Sequence, residues 1–422
     1  MRVWLAGVAL CLVGCGGADD KGDDTANLGD DLPETIVPTG DEFLVVVLPD
    51  TQIYAMTYPE TFDSQMRWIA EHAEAYNIVF VSHVGDIVHN GDRRNEWDVA
   101  EASYQWIEDI GLPHGFSVGG HDFWVGGEEH DSSCAVVPWM DCDFTDFNES
   151  FGPDRYADRA WFGGASPSGR SSYQKVSSAG LDLLFLHLPQ DTPRAEVEWA
   201  GEVLDANPGT LVHLTTHRYL YDYRLTDLLP EPLNLAPAGR FNALTYTLGG
   251  QSLLFNDSLS ADELFEEFIE THPNIWGVHC GHVDAEFRQT ETNAAGLPVH
   301  QMLADFQNME DGGGGWLRVL KFQPADNEVE VFTLSTLTGE FRQNGDGFEH
   351  SLTIVEDYKD LAFAELAALG FDTQAIEDLL DEVKTEGSKL RDAYYESLYG
   401  AGDRDSRFTL EVPFSDYVDA SK

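Results

Sequence analysis

The chain has 422 residues, of which 42% are hydrophobic, enough for a sizeable core. It carries 24 Lys and Arg against 75 Asp and Glu, a formal net charge of -51. Such a chain repels phosphate backbones, which argues against general DNA or RNA binding and for a heavily solvated surface.

Arg2 precedes an apolar run from Val3 to Val13. At about 11 residues it suits a signal-peptide core and is too short to span a bilayer. It ends in Leu12-Val13-Gly14-Cys15, which resembles a bacterial lipobox. On that reading residues 1–14 are a lipoprotein signal peptide and Cys15 is lipidated. The protein would then sit in the bacterial cell envelope, outside the cytoplasm, with a membrane as partner. The alternative is an ordinary signal peptide with a chance cysteine. Residues 15–41 are rich in Gly, Asp and Pro and read as an acidic flexible tether.

The globular part opens on Phe43–Leu48, a continuous apolar, β-branched run that predicts a strand buried on both faces. Pro59 starts a helix with Phe62, Met66, Ile69, Ala73 and Tyr76 on one face. A strand at 78–81, a helix marked by Trp97, Ala100, Tyr104 and Ile107, and a short strand at 116–118 follow. This β-α-β-α-β order predicts a parallel sheet. Residues 123–170 read as an insertion. Within it Cys134 and Cys142 could form a disulfide outside the cytoplasm, which leaves Cys280 a single buried thiol. Asp141, Asp143 and Asp146 lack the spacing of a calcium loop. Strands are expected at 181–186 and 211–215 with a helix near 196–204 between them. A Pro- and Leu-rich loop spans 222–258. A helix at 262–270 and a strand at 275–280 come next. Strands at 284–290, 297–305, 316–323 and 328–335 suggest a second sheet packed on the first. Gly312–Gly315 form a tight loop without the Lys-Ser/Thr of a phosphate-cradling loop. Residues 341–422 read as a mostly helical extension, with two acidic helices within 356–400, after a main domain at 42–340.

Polar residues collect where buried strands end: Asp50, Asp86, Gly119-Gly120-His121-Asp122, His217, and Gly281-His282-Val283-Asp284. In open α/β sheets ligands sit beyond the carboxyl ends of the strands. Carboxylates and imidazoles converging there suit divalent metals. Any one of these residues has a bland explanation as a cap, turn or core residue. Their ordered recurrence at successive strand ends does not. His83, His213 and His279 lie within strands and read as core or supporting residues, and His89 as a loop residue, with a substitute metal-binding imidazole as the alternative.

The order Asp-x-Gln, Gly-Asp-Ile-Val, Gly-x-His-Asp, a strand-end His and Gly-His-Val-Asp resembles the calcineurin-like metallophosphoesterases. The stretches LPDTQ, VSHVGDIVHNGD and LPVHQMLADFQ resemble a bacterial branch with Gln in its first motif. The resemblance covers about residues 43–335. It implies a four-layer α/β/β/α sandwich with one or two divalent ions (Mn, Fe, Mg, Ca or Zn) at the strand ends and a phosphoester substrate. It implies Asp50, Gln52, Asp86 and Asp284 at a first metal position, and Asp86, His217 and His282 at a second. His121, oriented by Asp122, would act on the leaving-group oxygen. Three positions depart from the pattern: Gln52 and Asp284 stand where the family has His, and Gly120 stands where it has a metal-binding Asn. The implied activity is hydrolysis of phosphomonoesters or phosphodiesters. The alternative is a degenerate fold acting as a non-catalytic metal- or ligand-binding lipoprotein.

Overall fold

The computed structural model describes residues 37–125, 142–222, 238–241, 257–342 and 406–422. The expected signal peptide, lipidated Cys15, most of the tether, Cys134 with the disulfide it would form, and the helices at 356–400 lie outside the described residues.

Strand β1 (Phe43–Leu48) is buried along its whole length, and its alternation assigns two different cores. Phe43, Val45 and Val47 face one way, into a core shared with Phe80, Phe185, Leu211, Trp276 and Met302. Leu44, Val46 and Leu48 face the other, against helical residues. Helix α1 (Gln52–Thr57) follows at once, a turn the apolar spacing did not announce. Helix α2 (Pro59–His72) begins on its proline and buries Phe62, Met66 and Ile69. Each such side chain contributes about 1.5–3 kcal/mol. Strand β2 (Ile78–His83), helix α3 (Arg94–Asp109) and strand β3 (His114–Phe116) complete the first parallel unit.

Residues 123–170 hold short elements: β4 (Trp124–Val125), β5 (Cys142–Asp143), α4 (Thr145–Phe151), α5 (Pro153–Tyr156) and β6 (Phe162–Ala165). Then come β7 (Ser172–Ser178), β8 (Leu181–His187), α6 (Arg194–Ala206), β9 (Leu211–Thr215), β10 (Leu220–Asp222) and β11 (Ala238–Arg240). Helix α7 (Ala261–Leu264) opens on a Ser260–Glu263 capping box and continues as a π-helical turn over Phe265–Ile269. The chain continues through β12 (Ile275–Cys280), β13 (Glu286–Thr292), β14 (Pro298–Ala304), β15 (Trp316–Gln323) and β16 (Glu328–Ser335). It finishes with β17 (Arg407–Glu411) and helix α8 (Phe414–Ala420). No described helix is long and apolar enough to cross a membrane.

Two large mixed sheets result. The first runs β17-β16-β15-β1-β2-β3 and the second β13-β14-β12-β9-β8-β7-β6. Phe80 and Phe185 stack across the gap between them at 3.7 Å. Helices α2 and α3 cover the outside of the first sheet. Helix α6 and the 261–269 helix cover the outside of the second. The architecture is the four-layer α/β/β/α sandwich.

The late strands do not build the second sheet by themselves, as their continuous order suggested. Strands β15 and β16 pair antiparallel onto β1, whereas β13 and β14 join β12. Strands β14, β15 and β16 are buried along most of their length and β13 is half-exposed, so burial pattern alone does not select the sheet. Residues 406–422, read as part of a helical extension, return to the domain: β17 pairs with β16, and Phe414 and Tyr417 enter the core between the sheets.

Candidate metal centre

Strands β1, β2 and β3 run parallel in one sheet, and β8, β9, β12 and β14 in the other. The loops beyond their carboxyl ends carry Asp50, Asp86, His121, His217, His282 and Asp305. Asp86 and His282 both adopt left-handed backbone, at φ 52° and 74°, which is costly for residues with a side chain. Each is held by a carboxylate. The Asp86 amide donates to Asp122 Oδ2 at 2.9 Å. The His282 amide donates to Asp50, at 3.1 Å to Oδ2.

Close approach is made possible by glycine. A Cβ on Gly119 would lie 2.1 Å from Asp86 Oδ1, and one on Gly281 would lie 2.0 Å from Asp50 Oδ1. Ordinary contacts are well over an ångström longer.

Asp86, His217 and His282 each present a ligand atom within 4.8 Å of the others. It is the one such group of three found among the described residues. His217 Nε2 lies 3.1 Å from Asp86 Oδ2, and His217 Nδ1 lies 3.1 Å from the Val84 carbonyl. Burial alone would raise the Asp86 carboxyl, but His217, His121 and their hydrogen bonds outweigh it and hold it below the usual range. Burial, with His217 and Arg218 nearby, pushes the His282 imidazole well down, so its nitrogen lone pair stays available.

Asp50 is fully buried. His217 Nδ1 lies 3.9 Å from its Oδ1, and Gln307 Nε2 lies 3.4 Å from its Oδ2. Burial, then the carboxylates of Asp305, Asp86 and Asp284, push Asp50 well above the carboxylate range. Gln52 donates from Nε2 to Gln307 Oε1, and its own buried Oε1 has no hydrogen-bond partner. Asp284 accepts from Asn308, at 3.1 Å from the backbone and 2.5 Å from Nδ2. In the Asp86–His217–His282 group, His217 Nε2 is buried without a hydrogen-bond partner, and one carboxylate with two imidazoles is a donor set for a divalent cation. The residues therefore fit divalent metal ions.

His121 sits at the partly exposed rim. Its amide donates to Asp86 Oδ1 at 2.9 Å, and its Nδ1 lies 2.8 Å from the His89 carbonyl. The His89 ring stacks on it at 4.7 Å. Asp122 does not orient this imidazole, contrary to the resemblance. Its carboxylate accepts from four backbone amides, those of Asp86, Ile87, Val88 and Gly119. It pins the β2 loop to the β3 loop. Burial and the neighbouring Asp86 push it up to about 7.

His83 lies behind the site, with Nε2 2.9 Å from Thr51 Oγ1, and burial with His217 pushes it down to about 3. His213 and His279 bond one another between the sheets at 2.7 Å. All three are supporting residues, as their strand positions implied. Gly312, Gly313, Gly314 and Gly315 all have positive φ, and the Gly315 amide donates to the Tyr54 hydroxyl.

Asp305 and Gln307 lie in the LPVHQMLADFQ stretch, but the sequence reading assigns them no place at the site. The signal was present: Asp305 follows the buried strand β14 directly, as Asp50 follows β1 within two residues.

No family model matches the chain. It is 30% identical over 310 residues to the "Uncharacterized protein YvnB" of Bacillus subtilis (strain 168), covering 72% of this chain and 21% of that protein. The chain thus spans about a fifth of the length of the curated relative it matches. Among solved structures it is similar to a purple acid phosphatase, PPD1, from yellow lupin, at 14% identity and TM-score 0.39, over 72% of this chain and 53% of that one. A dimetal phosphatase from Danio rerio gives 10% identity and TM-score 0.39, over 71% and 99%. GAP50 of Plasmodium gives 10% and 0.40, over 75% and 95%.

Proposed function

We propose that the chain is a metal-dependent hydrolase of phosphomonoesters or phosphodiesters, anchored outside the cytoplasm through Cys15. The observation that carries the reading is the convergence of Asp86, His217 and His282 with the buried Asp50 at the ends of parallel strands. Asp86, His217 and His282 would hold one ion, and Asp50, Asp86, Asp284 and Gln52 Oε1 another. Ions bound there lower the pKa of water and offset the charge of a phosphate in an otherwise acidic protein.

The chain's own residues supply positioning. Asp86 takes the His121 amide and so fixes the loop that presents the imidazole. The His89 carbonyl takes the Nδ1 hydrogen of His121. Nε2 is thereby the nitrogen left to pass a proton to a leaving-group oxygen. The Phe241 ring lies edge-on to the His282 ring, centroids 6.0 Å apart.

His121→Ala tests the assignment. Turnover of a phosphomonoester or diester should fall by roughly 100-fold or more while metal content is retained. Unchanged turnover would remove His121 from the chemistry. A second reading, a non-catalytic metal- or ligand-binding lipoprotein, is favoured by Gly120, which has no side chain to offer where the resembling family has a ligand. Under it, Gly120→Asn would change neither metal affinity nor rate; under ours it strengthens binding at the His217–His282 position. The anchor is tested separately, by labelling cells with a palmitate analogue: Cys15→Ala should abolish incorporation.

A further inference from the structure

We propose that Glu96 is a positioning residue for His121 and acts on it through a single peptide group. The proposal rests on the role given to His121 above and adds a carboxylate that no strand-end motif contains.

Glu96 lies in the first turn of α3 and is 1% exposed. A glutamate at the third helical position commonly turns back to the amide of its own cap. This one does not, and no side chain caps α3. Its carboxylate reaches into the loop after β2 instead. Oε2 accepts the backbone N–H of His89 and that of Asn90, each at 2.9 Å, and Oε1 accepts from Asn90 Nδ2 at 2.7 Å. The next residue of α3 holds the same loop: Trp97 Nε1 donates to the Gly91 carbonyl at 2.9 Å. On its other side the loop abuts the chain just past His121, where a Cβ on Gly91 would lie 2.8 Å from the Asp122 carbonyl carbon.

The Asn90 N–H and the His89 carbonyl belong to one peptide group. That group is planar and stiff, with its N–H and C=O pointing opposite ways. Glu96 holds the N–H, and His121 Nδ1 lies 2.8 Å from the carbonyl oxygen. Fixing one end fixes the other. A carboxylate acceptor also polarises the peptide, because hydrogen bonds in a chain strengthen one another. The carbonyl becomes a better acceptor and keeps the hydrogen on Nδ1, which leaves Nε2 open to a leaving group. A carboxylate–peptide–imidazole chain thus performs the orienting role that the resemblance gave to Asp122, whose carboxylate is taken up by four backbone amides.

The test uses the whole, metal-loaded protein and two aryl esters of the class that wild type hydrolyses. A phenyl ester has a basic leaving group that needs a proton; a 4-nitrophenyl ester has one that departs without it. Glu96→Ala should lower kcat on the phenyl ester by about 10-fold or more, part of the roughly 100-fold that a general acid supplies, and on the 4-nitrophenyl ester by less than about threefold. KM and bound metal should not change. Glu96→Gln keeps an acceptor oxygen for the two backbone amides and should recover most of the lost rate. In a His121→Ala background, Glu96→Ala should add nothing. Equal losses on both esters, or a full loss that persists without His121, would make Glu96 a structural residue and overturn the proposal. A second readout needs no turnover: 15N-imidazole spectra of the metal-free protein, with the His121 signal identified by its absence in His121→Ala. His121 should be the Nδ1–H tautomer in wild type and in Glu96→Gln. In Glu96→Ala and Glu96→Asp, whose side chains fall short of the loop, both tautomers should appear, and a pure Nδ1–H signal in either overturns the proposal. If wild type hydrolyses neither ester, the hydrolase reading fails and the spectra alone decide the place of Glu96.

Discussion

Gly281→Ala adds one methyl group at the point where two strand-end loops meet. Gly281 does not have left-handed backbone, so alanine brings no conformational conflict and the methyl alone is tested. Its Cβ would lie 2.0 Å from Asp50 Oδ1 and 2.6 Å from Val84 Cγ2. Real Cβ contacts are essentially never under 3.0 Å, so the carboxylate must retreat by about 1 Å or more. Neither neighbour is free to yield. Asp50 is tied to the His282 amide, and Val84 packs in the core between the sheets. Overpacking of this kind costs about 1–3 kcal/mol. A displacement near 1 Å of a group holding the reacting centre costs about 100-fold in rate. Urea denaturation reads the first quantity; metal titration and initial rates read the second. Stability within about 0.5 kcal/mol of wild type, together with unchanged metal affinity, would refute the claim that Asp50 is wedged between these loops.

Two further outcomes follow from the core. His213 is buried between the sheets and burial pushes it down to about 3, against about 6.5 when unfolded. The folded form thus stays neutral while the unfolded chain takes up a proton. Its contribution to stability is complete above pH 6.5 and erodes by about 1.4 kcal/mol per pH unit as the pH falls toward 3. His213→Gln should flatten that slope in urea titrations between pH 6.5 and 4.5; an unaltered slope contradicts the assignment. Glu286 is buried, with Arg318 at 3.1 Å and Arg342 at 2.8 Å, and also accepts from Thr333 and Ser406. Burial would raise its carboxyl, but the two guanidinium groups hold it below its usual range. Glu286→Ala strands two buried cations and should cost about 3–5 kcal/mol, read as a shifted denaturation midpoint.

Much of this arrangement was legible in the chain. The alternation of β1, with apolar residues on both faces, demanded a layer on each side. The recurrence of Asp or His just past buried strands placed Asp50, Asp86, His217 and His282 on one rim, because parallel strands share their carboxyl ends. Pairing partners were less legible. Strands β13 to β16 carry no mark of which sheet they join, and β17 is separated from β16 by more than seventy residues. The role of Asp122 was hidden for another reason. Its four bonds are to backbone amides of residues 86–88 and 119, and backbone partners leave no trace in side-chain identity. Asp305 obeyed the strand-end rule and lies within the LPVHQMLADFQ stretch, but the resemblance assigned that stretch no site residue.

The central claim is that the strand-end carboxylates and imidazoles hold metal ions that hydrolyse phosphoesters. The direct measurement strips the protein with chelator, restores Mn2+, Fe2+, Zn2+ or Mg2+ in stepwise equivalents, and follows both bound metal and initial rates on a phosphomonoester and a phosphodiester. The account predicts tight binding and, with at least one ion, a rate that rises with occupancy and is lost in His217→Ala. Stoichiometric binding with no turnover of either substrate class by any of the four ions would contradict it.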